Sequence, residues 1–362
     1  MTRFLRSVLN PSYLPLVATL LVIATLLTIG GVEYANFLSP KALVDLVNGN
    51  AYLGIAAIGA TFVILSGGID LSLGSVVAFT TILMAVLIHP TAAAQLAADP
   101  SLNPATIIHG AGMHPVTASL IAIVLGTLFG LLMGTLIALY ELPPFMVTLA
   151  GMFFARAMGF MIHEASLGIN HAFISETLDG LAWTITEVQG RRSLIPVNVL
   201  PTTMVMLLMY GISIVILHFT SFGRNVYAIG GDENSSKLLG VRVNRTKMAV
   251  YAVSGFCASL AGVIATVESR AGNPANRIGL ELDAIAAVVI GGTLLTGGRG
   301  LVLGTLLGVI VLALIQAFIP FSTWKWLDAQ TTPIFVGVLM LIFILLQTGF
   351  SAIGKRFATR TG

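Results

Sequence analysis

Polar and apolar positions along this chain do not alternate; they are sorted into long blocks. Ten apolar stretches stand out, at roughly residues 14–32, 47–66, 71–88, 116–139, 145–163, 198–219, 247–267, 282–296, 300–320 and 333–350. A helix needs about 20 apolar residues to cross the hydrocarbon of a bilayer. The blocks therefore predict an all-α integral membrane protein, a polytopic helical bundle forming one domain over residues 1–362. Only short glycine-rich joints separate the second block from the third and the eighth from the ninth. One member of each pair is expected to be broken or re-entrant, which gives 8–10 transmembrane helices.

Composition agrees with a lipid solvent. The chain is 56% hydrophobic and 9% charged, where soluble domains carry about 25% charged residues. The net charge of +3 is small, and no Lys/Arg cluster interleaves with aromatics, so a nucleic-acid partner is excluded. Cys257 is the only cysteine, which rules out an intrachain disulfide. Arg3 and Arg6 precede an apolar run from Leu14 to Ile29, as in a signal peptide. No A-x-A-like site follows, and the run is read as an uncleaved first helix.

Lys/Arg placement predicts orientation. With the N-terminus in the cytoplasm and ten spans threaded, inside segments hold Arg3, Arg6, Arg224, Lys237, Arg242, Arg245, Lys247, Arg299, Lys355, Arg356 and Arg360. Outside segments hold only Lys41, Arg191, Arg192, Arg270, Arg277 and Lys325. Both termini are thus expected inside, with Trp324 and Trp326 at the outer interface. Residues 89–115 and 164–197 become long periplasmic loops, and 220–246 the main cytoplasmic loop.

The chain also echoes itself. Leu65-Ser66-Gly67-Gly68-Ile69-Asp70-Leu71-Ser72-Leu73-Gly74-Ser75 matches Leu295-Thr296-Gly297-Gly298-Arg299-Gly300-Leu301-Val302-Leu303-Gly304-Thr305 at six of eleven positions. Transporters commonly repeat such units, with glycine-interrupted helices beside the translocation path. The competing explanation is chance likeness between small-residue-rich membrane segments.

Five places draw attention as candidate chemistry. At the first joint, Gly67-Gly68 would end a helix, and Ser66, Asp70 and Ser72 either line the solute path or form a turn at the cytoplasmic interface, with Asp70 capping the next helix. Arg156 lies within an apolar span, where an ionisable side chain faces the bundle interior or a wet cavity. Its alternatives are bonding helix-end carbonyls or pairing with an acid. Asn50 opens the second span and is a further path candidate, although packing also accounts for it. Glu281 and Asp283 suit a helix N-terminus, or else docking of an external partner.

The fifth place is the cytoplasmic loop. Gly230-Gly231 is expected to break the chain, Asp232 to cap, Glu233 to sit in the first turn four residues before Lys237, and Gly240 to end a helix of about two turns. Leu238-Leu239 would form a small apolar patch suited to docking into a soluble partner. A solvated connector is the plainer alternative. No G-x-x-x-x-G-K-[ST] loop is present, so any ATP that drives transport binds another chain. His163, Glu164 and His171 fit no zinc spacing, and no G-x-S-x-G occurs. No catalytic or metal-binding residues are assigned.

Several ordered stretches carry a family resemblance: Asn50–Ile55, Thr61–Ser75, Thr148–Met152, Gly223–Gly231 and Leu282–Thr293. Over residues 14–350 the chain resembles permeases of ribose- and galactofuranose-type ABC importers, in a superfamily shared with branched-chain amino-acid permeases. The stretches Ile169-Asn170-His171 and Met152-Phe153-Phe154 look closest to the galactofuranose type. The resemblance implies a multi-pass subunit of the bacterial inner membrane that binds no cofactor itself. It implies three partners: an ATPase subunit carrying ATP and Mg, a second permease, identical or homologous, and a periplasmic sugar-binding protein. Gly231, Asp232, Glu233, Lys237, Leu238, Leu239 and Gly240 would then form the coupling helix. Where family members often have Ala-Ala, this chain reads Asn234-Ser235-Ser236, a departure that bears on the fit to the ATPase. The 89–115 loop is also longer than usual. The function so implied is monosaccharide import, by a pentose- or galactofuranose-type permease. The alternatives are an ABC permease for a branched-chain amino acid or other polar solute, and a stand-alone secondary transporter.

Overall fold

A computed structural model describes residues 14–34, 36–99, 101, 107–178, 180–189, 194–275, 277–321 and 334–345. Arg3, Arg6, Arg191, Arg192, Trp324, Lys325, Trp326, Lys355, Arg356 and Arg360 lie outside the described residues. Each of the ten apolar blocks contains a helix. In chain order they give α1 (Leu14–Glu33), α2 and α3 (Pro40–Asn48 and Ala51–Leu65), α4 (Leu73–Ile88), α6 (Pro115–Leu139), α7 (Pro144–Ile162), α8 (Pro201–Phe219), α11 (Val243–Ser269), α12 (Leu280–Ile290), α13 (Val302–Phe321) and α14 (Ile334–Leu345). Proline stands at the start of α2, α6, α7 and α8, where its missing N–H has no helical partner to lose.

Helix lengths refine the expected count. By length and apolarity α1, α6, α7, α8 and α11 can each cross a membrane alone. Two bent pairs raise the number to seven: α2 with α3, at 51°, and α4 with α5 (Ala92–Ala98), at 55°. Helix α12 has 11 residues, or about 16 Å of rise, roughly half the hydrocarbon thickness. Helix is interrupted at both joints, between Leu65 and Leu73 and between Ile290 and Val302, while the two bends fall at residues 49–50 and 89–91.

Helix α3 forms the core. Every residue in it except Tyr52 is buried, and it packs against α8, α11, α12 and α13. Its sequence is apolar on all sides, as a helix enclosed by protein requires. Helices α6 and α11 form the closest helix pair. Gly126, Gly130 and Gly134 recur at one-turn spacing on α6; the first two face Gly255 of α11 and the third faces Met248 and Tyr251. A Cβ on Gly130 would strike the Tyr251 carbonyl oxygen and lie 3.0 Å from the Gly255 Cα. Small residues of this kind let membrane helices approach backbone to backbone.

Three segments depart from expectation. Residues 89–115 are not all loop, since α5 forms there with Thr91 as its cap. Residues 164–197 contain β1 (Leu167–Gly168), which pairs with β4 (Ala271–Gly272), and β2 (Trp183–Gln189), which forms an antiparallel hairpin with β3 (Leu194–Val199). The bundle is thus helical with two small ladders at its edge. Gly230-Gly231 do not break the chain: they end α9 (Ser221–Gly231), an unforeseen helix capped by the Thr220 hydroxyl.

Candidate functional site

The two echoed joints meet. Both turn through a glycine in the left-handed region, Gly67 at φ +81° and Gly297 at φ +85°, a conformation that costs other residues a clash. The Gly298 amide donates to the Leu65 carbonyl at 2.9 Å. Gly230, at the end of α9, fills the remaining space. A Cβ there would collide with the Leu65 carbonyl oxygen and come within 2.5 Å of the Gly298 nitrogen. A Cβ on Gly297 would lie 2.8 Å from the Gly67 nitrogen and 2.9 Å from the Gly230 carbonyl oxygen. Three glycine pairs from distant parts of the chain thus share one junction. Beside it the Thr61 hydroxyl donates to Ala57 at 2.7 Å. The Thr305 hydroxyl must therefore be the donor in the 2.8 Å contact between Thr305 and Thr61, since each hydroxyl carries one proton.

From Gly67 the first joint runs back into the bundle. Asp70 is 3% exposed, and its carboxylate accepts three hydrogen bonds. Oδ1 takes the Ser72 amide at 2.9 Å and the Ser72 hydroxyl at 2.6 Å; Oδ2 takes the Ser254 hydroxyl at 2.6 Å. Ser254 lies about 16 Å along α11 from Val243, well inside the membrane-crossing part. Asp70 is thus enclosed by the bundle and accepts the Ser72 amide, while Ser72 itself precedes α4 without a side-chain cap. Both oxygens of this buried carboxyl group have partners, as a buried polar group requires. The Ile69 carbonyl is also approached by the hydroxyls of Thr148 at 3.3 Å and Tyr251 at 3.5 Å.

The N-termini of α4 and α12 converge just beyond. A Cβ on Gly74 would touch Glu281 Oε2 and lie 3.1 Å from the Arg277 carbonyl oxygen. Glu281 is buried, and its Oε2 has no hydrogen-bond partner. Its carboxyl group lies at the N-terminal ends of two helices, where the dipoles are positive. Arg156 reaches in from α7, with Nη2 3.4 Å from the Ser75 hydroxyl and Nη1 buried without a partner. Arg277 stacks over the Tyr52 ring, 3.7 Å from its centroid.

Ser66, Asp70, Ser72 and Arg156 therefore gather around the first joint and the start of α4. Asn50 does not join them. It lies at the opposite end of α3, about 22 Å away along the helix; its Nδ2 donates to Leu46 at 2.9 Å, and its Oδ1 is buried without a partner. The polar groups of Ser66, Asp70 and Ser72 bond to protein. Asn50 and Arg156 each keep one unused polar atom. Asn48, which with Asn50 opens the second apolar block, ties α2 to α8: it donates to Asn198 at 2.9 Å and accepts from Leu200 at 3.2 Å and Thr203 at 2.7 Å. It is the last residue of α2, and its place at the start of the second apolar block was the only sequence signal. Among the described residues no group of His, Cys, Asp or Glu could hold a metal ion.

The polar segment after α9 folds as α10 (Glu233–Leu238). Asp232 accepts the Ser235 amide at 2.8 Å, and that bond holds its carboxyl below the usual range. Partial burial pushes the Glu233 carboxyl up. Bonds from Lys247 at 2.6 Å and Lys237 at 3.0 Å outweigh this and set it below its ordinary value. Since Lys247 belongs to α11, Glu233 clamps α10 to that helix. Gly240, at φ +79°, ends the turn. The departure at Asn234-Ser235-Ser236 leaves the helix intact. Ser236 is buried, and its hydroxyl is returned to the Asp232 carbonyl at 2.8 Å. Leu238 and Leu239 stand 89% and 82% exposed.

Comparison with known proteins places this geometry. The family model described as "Branched-chain amino acid transport system / permease component" matches residues 42–345. The inner membrane ABC transporter permease protein YjfF of Escherichia coli is 41% identical over 321 residues, covering 89% of this chain and 88% of that protein. The fructose import permease protein FruG of Bifidobacterium longum is 32% identical, covering 96% and 94%. The ribose import permease protein RbsC of Bacillus subtilis is 33% identical, covering 88% of each. No solved structure matches the chain. A multi-pass helical bundle with broken spans, matched along most of its length, belongs to the family of branched-chain amino acid transport system permease components.

Proposed function

We propose that this chain is the membrane-spanning permease subunit of an ATP-driven importer for a monosaccharide, of pentose or galactofuranose type, in the bacterial inner membrane. The observation that carries the proposal is α10. A short helix, capped by Asp232 and clamped to α11 by Glu233, projects two adjacent leucines into solvent. Such a knob suits a groove on a soluble partner. Its base runs through Gly230 into both broken-span joints. An ATPase subunit that binds ATP and Mg would push on α10, and the joints would transmit the movement to the half-helices. A periplasmic sugar-binding protein would deliver solute, and a second permease would complete the path. Ribose and fructose in the names of the similar permeases favour a monosaccharide, and the Lys/Arg asymmetry of the sequence favours cytoplasmic termini.

Leu238→Asp with Leu239→Asp tests this. Both side chains are exposed, so folding stability should change by less than about 0.5 kcal/mol. Uptake of labelled monosaccharide and stimulation of the partner ATPase should fall at least tenfold. Wild-type uptake in the folded double variant would overturn the coupling role. The family description favours a second reading, import of a branched-chain amino acid. Competition of labelled uptake by unlabelled leucine but not by sugars would establish that reading instead.

A further inference from the structure

A cavity of about 460 Å³ lies between α6, α8 and α11, away from the joints and from α10. Its depth is apolar, lined by Val205, Leu260, Val263 and Ile264. Its polar groups gather at one end: Thr202 in the first turn of α8, Glu268 in the last turn of α11, and Arg270 just after it. From Glu268 to Leu260 the cavity follows α11 for about 12 Å. The polar end is also where α6 and α8 begin and α11 ends, the level of a bilayer boundary.

Two polar atoms at that end, Thr202 Oγ1 and Glu268 Oε1, are buried without a hydrogen-bond partner. The other hydroxyl in the lining, Ser119, donates to the Pro115 carbonyl at 2.8 Å. Buried polar atoms of this kind call for a partner. On its flank the cavity is bounded by Val116 and Leu120, which continue into an exposed apolar ridge at Val124, Leu128 and Leu132 on α6. The cavity thus communicates sideways with hydrocarbon. A monosaccharide, ringed with hydroxyls, would leave most of them unpaired against this lining.

We propose that the cavity holds one phospholipid with a primary-amine headgroup, phosphatidylethanolamine in chemical class. An acyl chain fills the apolar depth. The ammonium donates to Glu268, the Thr202 hydroxyl donates to an ester carbonyl, and the Arg270 guanidinium faces the phosphate. The headgroup choice follows from charge complementarity. A choline headgroup cannot donate a hydrogen bond to Glu268, and an anionic glycerol headgroup offers it no cation.

The test is lipid analysis of the full chain purified in mild detergent from membranes containing phosphatidylethanolamine and phosphatidylglycerol. The wild type should retain phosphatidylethanolamine over phosphatidylglycerol at a ratio at least fivefold above their ratio in the membrane. Val263→Trp, which fills the cavity, should remove it. Glu268→Gln, nearly isosteric, should keep a bound lipid and lose the headgroup preference. Should Val263→Trp not yield folded protein, Glu268→Gln in nanodiscs of phosphatidylethanolamine against phosphatidylcholine decides: an unchanged preference overturns the proposal. No enrichment in the wild type, or enrichment that survives filling the cavity, also overturns it. So does efficient disulfide cross-linking between two copies through Leu120→Cys in a Cys257→Ser background, because the ridge would then be covered by protein.

Discussion

The two joints at residues 65–75 and 295–305 share a glycine frame and differ in what they hold. Gly67 and Gly297 turn the backbone the same way. Asp70 in the first joint is replaced by Gly300 in the second. The first joint is therefore pinned through a side chain, with the Asp70 carboxylate bonded to Ser254 deep on α11. The second is pinned through its backbone, where the Tyr227 hydroxyl of α9 donates to the Gly300 carbonyl at 3.0 Å. One joint answers to the membrane core and the other to the polar segment that carries α10. The glycines set the path of the chain, and the few polar residues hung on it decide which neighbour each joint follows.

The contact the joints share offers the strongest test of that division. Gly230→Ala should cost about 2–3 kcal/mol, because its Cβ would meet backbone atoms that cannot swing aside. Gly231→Ala, with nothing within 4 Å of its Cβ, should change stability by less than about 0.5 kcal/mol. Unfolding in detergent separates the two, and equal effects would dissolve the junction. Next in size is Asp70→Ala. It should cost about 2 kcal/mol, since three donors lose one acceptor. Adding Ser254→Ala should then cost little more, and a double-mutant cycle reads that coupling. The smallest effect is expected at the second joint: Tyr227→Phe removes one neutral hydrogen bond, worth about 1 kcal/mol. If it matched Asp70→Ala, the joints would be anchored alike.

Much of the bundle was legible in the sequence because length and apolarity alone define a membrane helix. The capping of α10 was legible for a similar reason, since Asp232, Glu233, Lys237 and Gly240 act on neighbours within one turn. The depth of Asp70 was not. It depends on Ser254, 184 positions away, and a Gly-Gly-Ile-Asp string reads equally well as a surface turn. Gly230-Gly231 misled in the same manner. Glycine pairs suggest a break, whereas here Gly230 stays helical because only a missing Cβ fits against Leu65 and Gly298. The four-residue spacing of Gly126, Gly130 and Gly134 was visible in the sequence and names the α6 face that meets α11. The convergence of Gly74 with Glu281 left no local trace, because it joins elements about 200 residues apart and is set by the fold alone.

The glycine contact between α6 and α11 has a mechanical meaning. Two helices whose backbones interlock at Gly126, Gly130 and Gly255 cannot slide past one another by one residue, about 1.5 Å, without driving side chains into notches cut for hydrogen. They behave as one strut. The Glu233 bond to Lys247 and the Asp70 bond to Ser254 both attach to that strut, which links α10 to the first joint. The two joints turn instead through positive-φ glycines, and Asp70 is the point where the first of them meets the strut.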